Sequence, residues 1–127
     1  MMDNKLRCFL CGEELKEGIS DVRAGWGRYR VRFYGVRALI CEGCGDTIFS
    51  KYDVYIVQSL SKLFLELPFE NRPKKMDLTN IYDLFIEDEN LIHSIDINNL
   101  NLYEKEGIFS FDRRDVEVYL NNNIIHA

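Results

Sequence analysis

The sequence predicts an α+β chain in two modules: a four-cysteine metal module made of a knuckle, a β-hairpin and a helix, then a small, mainly helical module. Three observations carry this reading. The cysteines fall in two Cys-x-x-Cys-Gly pairs, Cys8/Cys11 and Cys41/Cys44. Residues 28–33 alternate strictly between arginine and apolar side chains, the period of a half-buried strand. Both prolines, Pro68 and Pro73, fall in one stretch, where the charge balance of the chain also changes sign.

Taken in order, Cys8-Phe9-Leu10-Cys11-Gly12 reads as a knuckle, a tight turn closed by glycine. A strand begins between Glu13 and Gly25. In the next one, Arg28, Arg30 and Arg32 take one face, and Tyr29, Val31 and Phe33 the other. Tyr34-Gly35 is read as a turn, after which Val36 to Ile40 returns as a strand into Cys41. A helix is expected from about Ser50 to Glu66, with Ser50 and Asp53 as an N-cap pair. Tyr52, Tyr55, Ile56, Ser59, Leu60, Leu63 and Leu67 form its apolar seam.

Proline lacks a backbone donor and disfavours helix in the preceding residue, so 68–75 reads as a linker between modules 1–67 and 76–127. Beyond it, Thr79 is expected to cap a helix through Glu87, with Ile81, Leu84 and Phe85 inward. A further helix is expected from about Ile95 to Glu106, stopped by Gly107. Ile108 to Phe111 reads as a short strand, and Asp112 and Asp115 bracket the start of a last helix with Val116, Tyr119 and Leu120.

Nothing at the start, from Met1 to Lys16, resembles the apolar core of a signal peptide, and no apolar run approaches the ~18 residues of a membrane span. The expected location is the cytoplasm, where thiols stay reduced. Two close cysteine pairs then read as a metal site rather than two disulfides. Two residues between paired cysteines let one tight turn aim both thiolates at one ion, and the 29-residue loop from Gly12 to Ile40 is long enough for a hairpin to fold the second pair onto the first. Cys8, Cys11, Cys41 and Cys44 are therefore the candidate ligands of one structural Zn2+ ion, with iron as an alternative metal. Four cysteines fill the coordination shell, and the two histidines, His93 and His126, lie far along the chain, so no catalytic metal position is expected.

The run from Cys8 to about Leu67 resembles the YgiT-type zinc finger, the amino-terminal module of MqsA-like antitoxins. The resemblance rests on Cys8-Phe-Leu-Cys11-Gly12, on Asp21-Val22, on the aromatic and basic hairpin, and on Gly35-Val-Arg-Ala-Leu-Ile-Cys41-Glu-Gly-Cys44. It implies structural zinc on the four cysteines and a protein partner, a toxin in that family, bound by the module. The segment 79–121, through Leu102 to Gly107, Phe109 to Val116 and Tyr119-Leu120, resembles small excisionase-like winged helices. It is acidic where that family's reading helix brings lysines and arginines to phosphates.

The net charge of −5 hides an asymmetry: Met1 to Lys75 holds 13 basic and 10 acidic residues, and Met76 to Ala127 holds 3 and 11. Arg28, Arg30 and Arg32 read either as a phosphate- or acid-binding face or as a solvated face that meets the chain's own acidic half. Trp26, between two glycines, reads as core over the knuckle or as an interface anchor. Val54, Val57, Phe64 and Leu65 exceed what one helix face needs; the second module, a partner or a homodimer contact would cover them. The functional expectation is a non-catalytic, zinc-binding regulator of antitoxin type with a specific protein partner. The alternative is a DNA-binding transcription regulator that uses the arginines and the winged-helix segment.

Overall fold

The alternation of arginines with Tyr29, Val31 and Phe33 places those three side chains in the core. They belong to β2 (Tyr29–Cys41), which pairs antiparallel with β1 (Leu15–Trp26) in a long hairpin. The computed structural model describes residues 6–126, with side chains described for 6–120. Trp26 and Tyr29 close the hairpin as a pair, with Gly27, at φ +60°, and Arg28 in the turn between them. Arg28 therefore leaves the strand face expected for it, and Arg30 and Arg32 keep it.

Tyr34-Gly35 does not turn the chain. β2 runs through it, and the register shifts between Ser20↔Val36 and Val22↔Phe33, so that both residues oppose Asp21 alone. This is a β-bulge, and Gly35 takes its left-handed position at φ +79°. A β-carbon there would also lie 2.9 Å from the Thr79 backbone nitrogen, so the glycine permits a close approach between the two halves of the chain.

β3 (Thr47–Ile48) pairs with Leu39 and Ile40, and α1 (Lys51–Phe64) follows. The Asp53 N–H donates to the Ser50 hydroxyl oxygen at 3.1 Å, the expected N-cap. Ile56 and Leu60 are buried as the seam requires, but so are Val57 and Phe64, whereas Tyr55 is exposed. Much of the apolar excess on this helix is thus satisfied within the chain.

The chain then makes a 3-10 turn at Phe69–Asn71 and enters β4 (Lys75–Asp77), which lies parallel to β2 with Met76 opposite Phe33. β4 is also parallel to β6 (Ile108–Phe111), which pairs antiparallel with β5 (Leu102–Lys105). The six-stranded sheet runs β1-β2-β4-β6-β5, with β3 on β2. The stretch read as a linker therefore leads to the middle of a sheet that both halves share. One core spans them: the Phe64 ring stacks on Phe33 at 6.3 Å and on Phe111 at 6.1 Å, joining α1 to β2 and β6.

In the second half, α2 starts at Tyr82 (Tyr82–Glu87), not after Thr79. Asp77 takes the capping role in the preceding turn, where its Oδ1 accepts from the Thr79 N–H at 2.9 Å and from its hydroxyl at 2.6 Å. A short α3 (Leu91–Ser94) follows that the sequence reading did not separate. The helix expected over 95–106 is instead a 3-10 turn at Ile97–Asn99 and then β5. Asp96 accepts from the Asn98 N–H at 3.1 Å, which favours the turn over helix. Glu106 and Gly107, at φ 54° and 83°, make a two-residue hairpin turn rather than a helix end. The second half is thus less helical than expected, contributing three strands to the common sheet. The strand at 108–111 and the last helix, α4 (Arg113–His126), fall as expected, with Asp112 accepting from the Arg114 N–H at 3.0 Å. The side chains of the asparagine run at 121–123 and of His126 lie outside the described residues, as do residues 1–5. Among the described residues no helix is long and apolar enough to cross a membrane.

Candidate metal centre

The two knuckles are built alike. The Gly12 N–H donates to the Cys8 carbonyl at 2.9 Å, and the Gly45 N–H to the Cys41 carbonyl at 3.0 Å. Both glycines take the left-handed conformation, at φ +79° and +78°. Within each turn a backbone N–H points at the first sulfur: Leu10 at Cys8 Sγ (3.4 Å) and Cys44 at Cys41 Sγ (3.5 Å). Leu15↔Cys41 begins the ladder of β1 with β2, so the hairpin returns the second knuckle directly beside the first. Gly43 allows the final approach, because a β-carbon there would lie 3.2 Å from Cys11 Sγ and collide with the Glu13 side chain.

The four sulfurs lie within 4.8 Å of one another, with Cys11–Cys41 at 3.3 Å and Cys8–Cys44 at 3.7 Å. Thiolates in a tetrahedron about 2.3 Å from a zinc ion stand about 3.8 Å apart, so these residues fit such an ion. All four are free thiols, and the separations far exceed the ~2.05 Å of a disulfide. Cys8 and Cys41 are buried with Leu15 in a small apolar cluster that Leu39 and Ile48 flank, while Cys11 and Cys44 face outward.

The electrostatics of the four thiols are compatible with a shared cation. The Cys44 N–H leads the interactions that lower the Cys41 thiol to about 7. The Glu13 N–H pulls Cys11 down, but hydrogen bonding to Cys41 and the crowding of the other sulfurs outweigh it and push this thiol up to about 12. Four sulfurs this close cannot all ionise side by side unless a positive charge sits among them. A bound metal cation would supply it.

The remaining candidate residues lie elsewhere. Trp26 is not over the knuckle: it sits at the opposite end of the hairpin, 44% exposed, with its indole N–H donating to the Gln58 carbonyl of α1 at 3.3 Å. Arg30 and Arg32 share the sheet face opposite the core, and Arg28 lies in the adjoining turn. Two features escaped the sequence reading. One is the exposure of Phe9 (99%) and Leu10 (76%) on the first knuckle, and the other is Lys75, which β4 brings beside Arg32. The first was legible, since a tight Cys-x-x-Cys turn has no room to fold its two inner side chains back onto the ion. The second was not, because it depends on a parallel pairing across 43 positions.

Comparison of the chain with protein-family models, with curated proteins and with solved structures gives no match.

Proposed function

We propose that the chain is a non-catalytic regulatory protein of antitoxin type, in which Cys8, Cys11, Cys41 and Cys44 hold one structural zinc ion and the surrounding lobe binds a specific protein partner. The observation that carries the reading is the pair Phe9 and Leu10, both exposed on a turn whose backbone is fixed by the cysteines on either side. Large apolar side chains held rigidly in water cost little further entropy to dock, and such groups serve as interface anchors. The ion does no chemistry in this account; it fixes the knuckles. The cysteine sulfurs bind it, and the N–H groups of Leu10 and Cys44 orient two of them. The resemblance of Cys8 to Leu67 to the YgiT-type finger supplies the antitoxin part of the reading.

The test is co-expression of the chain with the product of its neighbouring reading frame, followed by size-exclusion chromatography in high salt. A stoichiometric complex is expected, lost in the Phe9→Ser/Leu10→Ser double variant at unchanged zinc content. A chain that elutes alone, or a double variant that keeps its partner, contradicts the reading.

A further inference from the structure

β1 is an edge of the sheet, and most of its length has a neighbour on one side only. Among the described residues it pairs with β2 alone from Lys16 to Trp26. At Leu15 the outer side is taken, because the Leu15 N–H donates to the Leu6 carbonyl at 2.9 Å. Outward backbone groups recur at every second residue of an edge strand, and β1 keeps this period because the extra residue of the bulge belongs to β2. Glu17, Ile19, Asp21 and Arg23 therefore turn their N–H and C=O groups to solvent. Such a row is a template for a further strand.

The side chains of the same four residues share the sheet face opposite Ala24 and the main core, and all are exposed, Ile19 at 63%. Asp21 is engaged by Arg32 at 3.5 Å. Neither Glu17 nor Arg23 has a side-chain hydrogen bond or ion pair among the described residues. Arg23 stands opposite Arg32, which has Lys75 on its other side, and like charges opposite one another destabilise a sheet. Glu17 and Arg23 are equally far from Ser20, one on each side. When two copies of β1 lie antiparallel with Ser20 on a twofold axis, Glu17 of each meets the partner's Arg23, and Ile19 of each meets the partner's Asp21. Both kinds of pair use the outward backbone groups, and the two Ile19 side chains become diagonal neighbours. A slip of one pair either way opposes Glu17 to Asp21, or Asp21 to itself. A longer slip that brings Asp21 to Arg23 leaves Glu17 alone and takes Asp21 from Arg32.

We propose that β1 is a dimer contact: a second copy of the chain adds its β1 antiparallel, with Ser20 at the axis and Glu17 of each copy on the partner's Arg23. The partner's Glu17 supplies the carboxylate that Arg23 lacks beside Arg32. Opposite charges placed symmetrically about one residue are complementary to themselves, which selects a second copy over an unrelated strand, and such a contact closes at two chains. Phe9 and Leu10 take no part in it, so it goes beyond the partner reading and does not depend on it.

The test is sedimentation equilibrium of the purified chain from micromolar to millimolar concentration, where a monomer–dimer equilibrium is expected. Glu17→Arg and Arg23→Glu should each weaken the dimer by about tenfold, because each brings like charges together on both sides of the axis. Mixed in equal amounts, the two variants should pair with each other about as tightly as wild type, because both contacts are then complementary. Ile19→Pro removes an outward N–H and should abolish pairing. Phe9→Ser/Leu10→Ser should dimerise like the wild type, which separates this contact from the surface proposed for another protein. A chain that stays monomeric throughout the range, a dimer indifferent to Glu17→Arg or to Ile19→Pro, a mixture that pairs no better than its components, or a dimer lost in Phe9→Ser/Leu10→Ser would each overturn the proposal.

Discussion

The Sγ atoms of Cys11 and Cys41 lie 3.3 Å apart although they are 30 positions apart in the chain. The hairpin closes that distance. β1 and β2 form a continuous ladder from Leu15↔Cys41 to Trp26↔Tyr29, with one bulge at Gly35 to absorb the odd residue. The cysteine lobe and the sheet are thus continuous, and errors in the ladder should be felt at the sulfurs.

The bulge gives the first prediction. Gly35→Ala forces a side chain into the left-handed region and against Thr79, so it should cost about 2–3 kcal/mol. Gly107→Ala, at φ +83° with open space around it, should cost only about 1 kcal/mol. Urea midpoints at constant m distinguish them, and equal losses would mean that the contact with Thr79 is unimportant.

Phe64 tests whether the halves unfold together. Its ring lies between Phe33 and Phe111, and its removal should cost about 3–5 kcal/mol. In Phe64→Ala, Trp26 fluorescence and far-UV circular dichroism should still report one transition, at lower temperature. Two separated transitions would show that residues 1–67 and 76–127 unfold on their own.

Asp53 is the one charged side chain buried among the described residues, at 2% exposure. It accepts from the Tyr82 hydroxyl at 2.5 Å, the Ser50 hydroxyl at 2.5 Å and Arg37 Nε at 3.2 Å, tying α1 to α2 and β2. Burial, and then this carboxylate, holds the Tyr82 hydroxyl protonated well above its ordinary range. Asp53→Ala leaves a buried hydroxyl without its acceptor and should cost roughly 2–3 kcal/mol in chemical denaturation. A loss no larger than that of Ser50→Ala, about 1 kcal/mol, would reduce Asp53 to a helix cap.

A pH dependence follows from Asp83. Two hydrogen bonds from Arg113, both 2.8 Å, hold its carboxyl below the ordinary 3.8. A depressed carboxylate stabilises the folded state fully above its unfolded value, and the contribution disappears as pH falls through the folded value. Stability should therefore drop below about pH 4, less steeply in Asp83→Asn. The effect is small, because both side chains are largely exposed. Identical acid profiles for the two proteins would show that the pair contributes nothing.

The sequence was most readable where one local rule acted without competition. Cysteine spacing pointed to four side chains that the fold does bring together, strict alternation placed Tyr29, Val31 and Phe33 inward, and the Ser50–Asp53 pair placed the start of α1. It misled where a glycine had two meanings. Gly35 and Gly107 both require left-handed backbone, but the first bends a strand and the second closes a hairpin. The segment 95–106 reads as a helix stopped by Gly107, whereas the Asp96 turn and the pairing of Leu102 with Phe111 take it into the sheet. Long-range strand pairing lay beyond reach, and it decides both the common sheet and the placement of Lys75 beside Arg32.

Metal analysis of the protein purified without added metal tests the central claim most directly, by elemental analysis together with native mass spectrometry. One tightly held zinc ion per chain is expected, lost in Cys41→Ser with faster hydrogen exchange at both knuckles. A chain that carries no transition metal, or that shows intact cystines among Cys8, Cys11, Cys41 and Cys44 when freshly lysed, would contradict it.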